Sequence, residues 1–363
     1  MDGEMRERVL VAMSGGVDSS VAALLLRDAG YDATGVTMKL FDNEVAGAGG
    51  ACVVGESTCC SQSDVEDARQ VAFGLGLEHF TFNFTGTFGC EVIDRFCDAY
   101  LRGRTPNPCI DCNRYLKFAA LQRRRAQLGF DYVATGHYAR RAFNERTGRF
   151  ELRRGLDEAK DQSYVLYHLT QDDLAHMLFP LGELTKPQVR ELAEKHSFGN
   201  AHKAESQDIC FVPDGDYASF IARYMGFGDD AARDDGKEPT VPAAFEPGNI
   251  VDVDGKVLGR HSGLVHYTIG QRKGIGIAAP EPLYVVGKDA GKNVLVVGPR
   301  GELGVREVRA GDVNLISVAE LDKPMRVTAK THYRQRVQAA EAVMEGDQLV
   351  VRFDEPVARP AAG

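Results

Sequence analysis

Val9-Leu10-Val11-Ala12-Met13-Ser14-Gly15-Gly16-Val17-Asp18-Ser19-Ser20 carries an apolar, strand-like run into a Ser-Gly-Gly turn, and a helix-type pattern from Val21 to Ala29 follows directly. That order brings backbone N–H groups, two glycines without Cβ and the positive end of a helix to one point, which suits phosphate oxygens. The hydroxyls of Ser14, Ser19 and Ser20 add donors, and Asp18 is a candidate ligand for a Mg²⁺ that bridges phosphates. No Gly-x-x-x-x-Gly-Lys-Ser/Thr occurs here and no Gly-x-Gly-x-x-Gly follows a strand, so the turn is neither a Walker loop nor a dinucleotide fingerprint. It reads as a nucleoside triphosphate site. The plainer alternative is an ordinary βα turn with a capping serine.

Outward from this segment, strands alternate with helices. Thr34 to Leu40 reads as a second strand, whose Met38 faces the nucleotide crevice if the sheet is parallel. Asp42 to Thr58 is a Gly- and Ala-rich loop, and Ser63-Asp-Val-Glu66 is a capping box that opens a helix. His79 to Phe84 is a third strand and Phe88 to Leu101 a further helix. In Thr105-Pro-Asn-Pro-Cys-Ile-Asp-Cys-Asn113 the two prolines argue against helix, with Asn113 placed to cap a helix over Arg114 to Leu128. Asp131 to Thr135 is a strand ending in Gly136-His137-Tyr138, a hairpin turns at Asn144 to Gly148, Lys160 starts another helix, and Thr185 caps one more. The alternation predicts an α/β, doubly wound, Rossmann-like parallel sheet of about five strands. Beyond Pro213 hairpin signals take over, around Asp254-Gly255 and around Asp289 to Asn293. We therefore expect a catalytic domain over residues 1–205, a small mixed domain over 206–282 and a β-barrel-like domain over 283–363.

The chain has 363 residues, 44% of them hydrophobic and 26% charged, which describes a globular protein of two or three domains. No apolar run approaches a membrane span, so no membrane partner is expected, and the polar start predicts a cytoplasmic address. The net charge of −9 argues against indiscriminate nucleic-acid binding. Basic clusters such as Arg123-Arg124-Arg125 and Arg153-Arg154 nevertheless stand apart from acidic ones such as Asp229-Asp230 and Asp234-Asp235, a split that fits nucleic acid docked on one side.

Eight cysteines without an export signal point to thiol chemistry or ligation rather than a disulfide scaffold. Cys109 and Cys112 stand just before the expected helix, where amides and the helix dipole favour a thiolate. Cys210 lies far along the chain in Ser206-Gln-Asp-Ile-Cys-Phe211. Three thiols are too few for a closed four-cysteine zinc site. Two readings stay open: one thiol carries a persulfide and another assists its release, or the three hold irons of a [4Fe-4S] cluster with one iron open to sulfide. Cys90 and Cys97, on one helix, read as core packing. Cys52, Cys59 and Cys60 stay ambiguous.

The Ser14-to-Ser19 string resembles the phosphate loop of the PP-loop ATP pyrophosphatases. With Cys59-Cys60-Ser61, Asp64, Asp67-Ala-Arg69, Thr105-to-Asn113, Ala134-Thr-Gly-His-Tyr138, Lys160-Asp-Gln-Ser-Tyr164, Phe179-Pro-Leu-Gly-Glu183, Cys210 and Tyr267-Thr-Ile-Gly-Gln-Arg-Lys-Gly274, the chain resembles the bacterial tRNA-specific 2-thiouridylases over nearly its whole length. The resemblance implies ATP-dependent thiolation of carbon 2 of the wobble uridine in tRNAs for Lys, Glu and Gln. It implies ATP with Mg²⁺ on Ala12, Met13, Ser14, Gly15, Gly16, Val17, Asp18 and Ser19, with Met38 and Gly136 near adenosine. Cys210 is implied to carry a persulfide received from a cysteine desulfurase or its relay protein. Cys112 is implied to be the nucleophile that frees the sulfur and can close a disulfide with Cys210. Asn107, Pro108 and Cys109 are implied to line the flipped-out base, and His137, Lys160, Asp161, Gln162, His332 and Tyr333 to contact tRNA.

Three departures stand out. Cys109 replaces a common Asp, which favours the three-thiol ligand set. His332 replaces a common Arg. The sequence stops at Ala361-Ala-Gly363, where the family continues with Gly-Gln and a last barrel strand, which either leaves an edge strand unpaired and a tRNA contact missing or marks a truncated sequence. A thiocytidine-forming relative is the nearest alternative enzyme, and the C-terminal β-rich region counts against it. An RNA-binding module with a structural metal would leave the phosphate loop unexplained.

Overall fold

The computed structural model describes residues 6–40, 62–203, 209–227, 241–333 and 335–361. The expectations placed on Asp42 to Thr58, on Cys52, Cys59, Cys60 and Ser61, on the acidic pairs after Gly228 and on Ser206 to Asp208 lie outside these residues. Two compact units divide the chain, one of residues 1–93, 108–216 and 314–319, the other of residues 94–107, 217–313 and 320–363.

The first unit is a doubly wound parallel sheet. Its strands are β1 (Arg8–Ala12), β2 (Asp32–Lys39), β3 (His79–Asn83), β4 (Tyr132–Thr135) and β7 (Met177–Leu178), in the spatial order β3-β2-β1-β4-β7. Every neighbouring pair is parallel. An antiparallel hairpin, β5 (Ala139–Asn144) and β6 (Arg149–Arg154), follows β4. Central β1 is apolar without alternation because both its faces are covered. Val9 and Val11 pack with Ala23 and Leu24 of helix α1 (Val17–Asp28) and with Ala68 and Val71 of helix α2 (Gln62–Gly74). Leu10 packs on the other side with Phe118, Leu121 and Leu166. Strand order runs outward in both directions from β1 and β4, and at such a switch point the carboxyl ends of the two strands leave a crevice.

Local structure departs from the expectations in three places. Helix α1 begins at Val17 rather than Val21, because Gly16 takes an extended conformation as N-cap and Ser19 and Ser20 each donate to its carbonyl at 3.0 Å. The stretch from Pro108 to Leu128 is helical throughout: Pro108–Asp111, a π-helical segment Cys112–Ala120, then Leu121–Leu128. Pro108 does not exclude helix, since a proline in the first turn removes only an N–H that has no intrahelical acceptor. Asn113 therefore lies inside the helix, buried, instead of capping it. After Lys160 the chain forms only a 3₁₀ turn, Ser163–Leu166. Buried Asp161 explains this, because its carboxylate accepts from the Gly155 and Ser163 amides and the Ser163 hydroxyl and so holds a loop.

In the second unit, helices Asp94–Leu101 and Tyr217–Tyr224 share an aromatic cluster of Phe96, Tyr100, Tyr217 and Phe220. Strands β8 (Gly248–Val251), β9 (Val257–His261), β10 (Tyr284–Asp289) and β11 (Val294–Gly298) form one sheet in the order β10-β11-β8-β9. A boundary between residues 282 and 283 cuts this sheet, because β11 pairs with β8 across it. Strands β12 (Gly304–Ala310), β13 (Met325–Ala329), β14 (Gln338–Glu345) and β15 (Gln348–Ala358) form an antiparallel sheet in the order β12-β15-β14-β13. The last strand, β15, is paired on both sides, and β12 and β13 are the edges of this sheet. Among the described residues no helix is long and apolar enough to cross a membrane.

Candidate active site

A cavity of about 200 Å³ opens where the switch point places it, at the carboxyl ends of β1 and β4. Ala12, Met13, Ser14, Asp18 and Ser19 line it from β1 and α1, Thr37, Met38 and Leu40 from β2, and Thr135, Gly136 and His137 from β4. Gln162 and Lys117 complete the wall. Of the expected nucleotide residues, Gly15, Gly16 and Val17 are absent from the lining and act behind it. Gly15 has φ +73°, and a Cβ there would sit 2.3 Å from the Asp64 carbonyl oxygen, so the turn requires glycine twice over. Val17 is buried against Val21 and Tyr138.

The loop is tied down by its own polar atoms. The Ser14 amide donates to Ser19 Oγ at 3.1 Å. Asn200, buried, donates from Nδ2 to the Gly15 carbonyl and to Ser20 Oγ, both at 2.9 Å. Gly136 lets the end of β4 close onto α1, since a Cβ there would lie 2.8 Å from the Ser19 nitrogen. Behind Gly15, Lys203 donates to Asp64 at 2.6 Å and to Asp67 at 2.5 Å, clamping the start of α2 to the chain that leads toward Cys210. Hydrogen bonds to the two carboxylates hold the Lys203 ammonium above its ordinary pKa against the opposing effect of burial.

Asp18 does not stand ready as a Mg²⁺ ligand. Both its oxygens accept from Lys186 Nζ, at 2.7 and 2.8 Å, and Oδ1 also accepts from the Tyr138 hydroxyl at 2.8 Å. A cation there would have to displace an ammonium whose side chain is 9% exposed. Lys186, Lys203 and Asn200 escaped the sequence reading because their partners lie 168, 139 and 185 residues away.

His137 is buried, its Nδ1 2.8 Å from Thr135 Oγ1. Burial, with Lys117 and His168 nearby, holds it well below the ordinary histidine pKa, so the ring is neutral at pH 7. Gln162 accepts from the Tyr138 amide at 2.9 Å. Of the other expected tRNA-contact residues, Asp161 is buried in its loop and Lys160 is half-buried beside it, while His332 and Tyr333 are exposed on the second unit, between β13 and β14.

The thiols are placed differently from the loop. Cys109 is exposed in the first turn of the helix that begins at Pro108, and Cys112 is half-buried at the first residue of the π-helical segment. Cys210 is half-buried in a turn closed by the Val212 amide donating to the Ile209 carbonyl. Phe211 anchors this turn, edge-on to Phe88 at 5.7 Å between ring centroids. None of the three thiols is in a disulfide. Among the described residues no three of His, Cys, Asp and Glu converge where a metal ion could be held, so Cys109, Cys112 and Cys210 are not a preassembled cluster ligand set. Pro108 is buried and Asn107 exposed beside them in sequence. Cys97 is buried as expected for packing, and burial pushes its thiol up to about 12. Cys90, by contrast, is exposed and not a core residue.

Residues 7–214 match a family model described as the tRNA methyl transferase HUP domain, and residues 241–299 one described as the tRNA methyl transferase PRC-barrel domain. The chain is 46% identical over 359 residues to a tRNA-specific 2-thiouridylase MnmA of Carboxydothermus hydrogenoformans, covering 98% of this chain and 92% of the relative. It is 44% identical over 353 residues to an MnmA of Clostridium acetobutylicum, covering 97% and 93%. Among solved structures, a U34-tRNA thiolase NcsA from Methanococcus maripaludis with its [4Fe-4S] cluster matches at a TM-score of 0.36 and 19% identity, over 61% of this chain and 72% of that one. That superposition is too slight to carry an argument.

Proposed function

The chain belongs to the tRNA-specific 2-thiouridylase family, and on that premise we propose that it is an ATP-dependent tRNA-uridine 2-sulfurtransferase of the cytoplasm. Its substrate in this reading is the wobble uridine of the tRNAs for Lys, Glu and Gln. The observation that carries the proposal is the crevice at the β1–β4 switch point, lined by the Ser-Gly-Gly loop, Met38 and Gly136. Backbone amides and the α1 N-terminus bind the triphosphate there. The uracil O2, brought out of the RNA stack past Asn107, Pro108 and Cys109, attacks the α-phosphorus and expels pyrophosphate, which converts a poor leaving group into AMP.

Cys210 carries the sulfane sulfur as a persulfide received from a cysteine desulfurase or relay protein. Attack of the Cys112 thiolate on the Cys210 sulfur releases that sulfur as sulfide and joins the two cysteines in a disulfide. The two thiolates are oxidised as the sulfane sulfur is reduced. Sulfide then adds to C2 and AMP departs, and an external dithiol resets the disulfide. This reading routes no step through an iron–sulfur cluster. His137, Lys160, Asp161 and Gln162 shape the tRNA side of the crevice from the first unit, with Asp161 acting through the loop it holds. His332 and Tyr333 contact tRNA from the second.

The family models carry a methyl-transfer name, but a phosphate loop and thiols at Cys112 and Cys210 fit sulfur insertion with ATP better than transfer of a methyl group. The test is nucleoside mass spectrometry of tRNA from a strain lacking its own enzyme and carrying this gene. Restored 2-thiouridine is expected. Unmodified uridine, or methylated uridine in its place, overturns the proposal.

A further inference from the structure

Lys117 is a lining residue that neither the phosphate-loop motif nor the cysteine motif accounts for. Among the described residues that line the cavity it is the only lysine or arginine. The position of Lys117 follows from an irregularity of the backbone. Residues five apart in an α-helix point about 140° away from each other. In a π-helix the hydrogen bond runs i→i+5, so the fifth residue closes the turn. Cys112–Ala120 is π-helical, and the Leu121 amide still donates to the Leu116 carbonyl five residues back. Phe118 and Leu116 keep this segment docked in the interior, while Lys117 between them is half-buried at the cavity wall. Nine consecutive π-helical residues are costly, and such segments cluster at functional sites. The charge also acts across the cavity, where it helps keep His137 neutral.

We propose that Lys117 is a catalytic residue whose ammonium contacts the α-phosphate of the bound nucleotide. There it balances the charge that builds on the phosphoryl oxygens as pyrophosphate leaves and again as AMP leaves. This rests on reading the cavity as an ATP site. It makes no covalent bond and exchanges no proton. A preorganised cation in a partly dry site is worth most where charge develops in the transition state.

The experiment compares wild type, K117M, K117Q and K117R in the full chain, with tRNA-dependent pyrophosphate release and ATP binding measured separately and folding followed by circular dichroism. K117M and K117Q are expected to lose about 100-fold in kcat for pyrophosphate release. ATP affinity is expected to change much less, and K117R to recover part of the rate. Persulfide loading on Cys210, read by mass spectrometry, stays at the wild-type level. K117Q keeps a polar side chain of similar reach, so it carries the test if K117M does not fold. Release within about threefold of wild type in either variant overturns the inference. So does intact pyrophosphate release with sulfur transfer lost, which would move the role to the thiol. Wild-type protein that binds no ATP overturns the cavity reading itself, a result distinct from either.

Discussion

On the loop side of the crevice, Ser14, Ser19, Ser20 and Gly16 bond to one another and Gly15 and Gly136 are pressed against neighbouring backbone. On the side of the π-helical segment, Cys109 is exposed and Cys112 half-buried, and Cys210 is half-buried in a turn of its own. The cysteines there form neither a disulfide nor a metal site. The difference is between a loop braced by its own hydrogen bonds and thiols that no disulfide joins, and in the proposed reaction these are the nucleotide half and the sulfur half. The proposed reaction asks for such a difference: phosphate positioning gains from rigidity, whereas a sulfur received, released and reset on two cysteines gains from thiols that move between partners.

The sharpest way to break this comparison is to remove the thiols. Cys112→Ala and Cys210→Ala are each expected to abolish thiolation while leaving tRNA-dependent pyrophosphate release close to wild type. Quantifying 2-thiouridine and pyrophosphate in the same reaction checks both halves. Full thiolation by either variant, or pyrophosphate release lost along with thiolation, denies that the halves are separate.

A smaller effect is expected from the opposite side. Gly136→Ala puts a Cβ 2.8 Å from the Ser19 nitrogen, and fixed backbone on a helix and a strand yields poorly, so a stability loss of about 1–3 kcal/mol is expected. ATP affinity falls with it. Thermal melting and calorimetric titration measure the two, and an unchanged melting temperature would show the loop side to be softer than described.

The effect that is smallest near neutral pH concerns His168. Burial, with Arg114 adding its charge, lowers its pKa to about 4. Between the unfolded value near 6.5 and about 4, the unfolded chain binds a proton that the folded protein refuses, so stability rises with pH across this window. The neutral ring's contribution is complete above about pH 6.5 and is lost as pH falls toward 4, up to about 3 kcal/mol. His168→Phe should flatten that slope in denaturant titrations between pH 4 and 7. At pH 7.5 it should cost little, because two buried nitrogens without partners leave with the imidazole. An equal slope in the variant would place the acid sensitivity elsewhere.

Much of the first unit was legible. The apolar run before Ser14, the recurrence of strand and helix, and the hairpin at Asn144 to Gly148 report local periodicity and turn chemistry, which do not depend on distant partners. The loop residues and Met38 were legible for the same reason, being set by a turn and by alternation on a strand. Lys117 was not, because its orientation depends on a π-helical register that the residues Cys112 to Ala120 do not announce. The helix through Pro108 was misread because a proline's meaning changes with its position, and only the fold shows that Pro108 occupies a first turn.

By itself, then, the sequence determined the phosphate loop, the parallel α/β layer around it and the kinship of the chain, because each is written in residues close together along the backbone. Tertiary structure alone decided that Asp18 is held by Lys186, that Asn200 and Lys203 brace the loop, that β10 and β11 join β8 and β9, and that the three thiols stay unbridged. Those choices set charge against charge and edge against edge across more than a hundred residues in the first case, and such pairings are chosen by packing the whole chain rather than by any one segment.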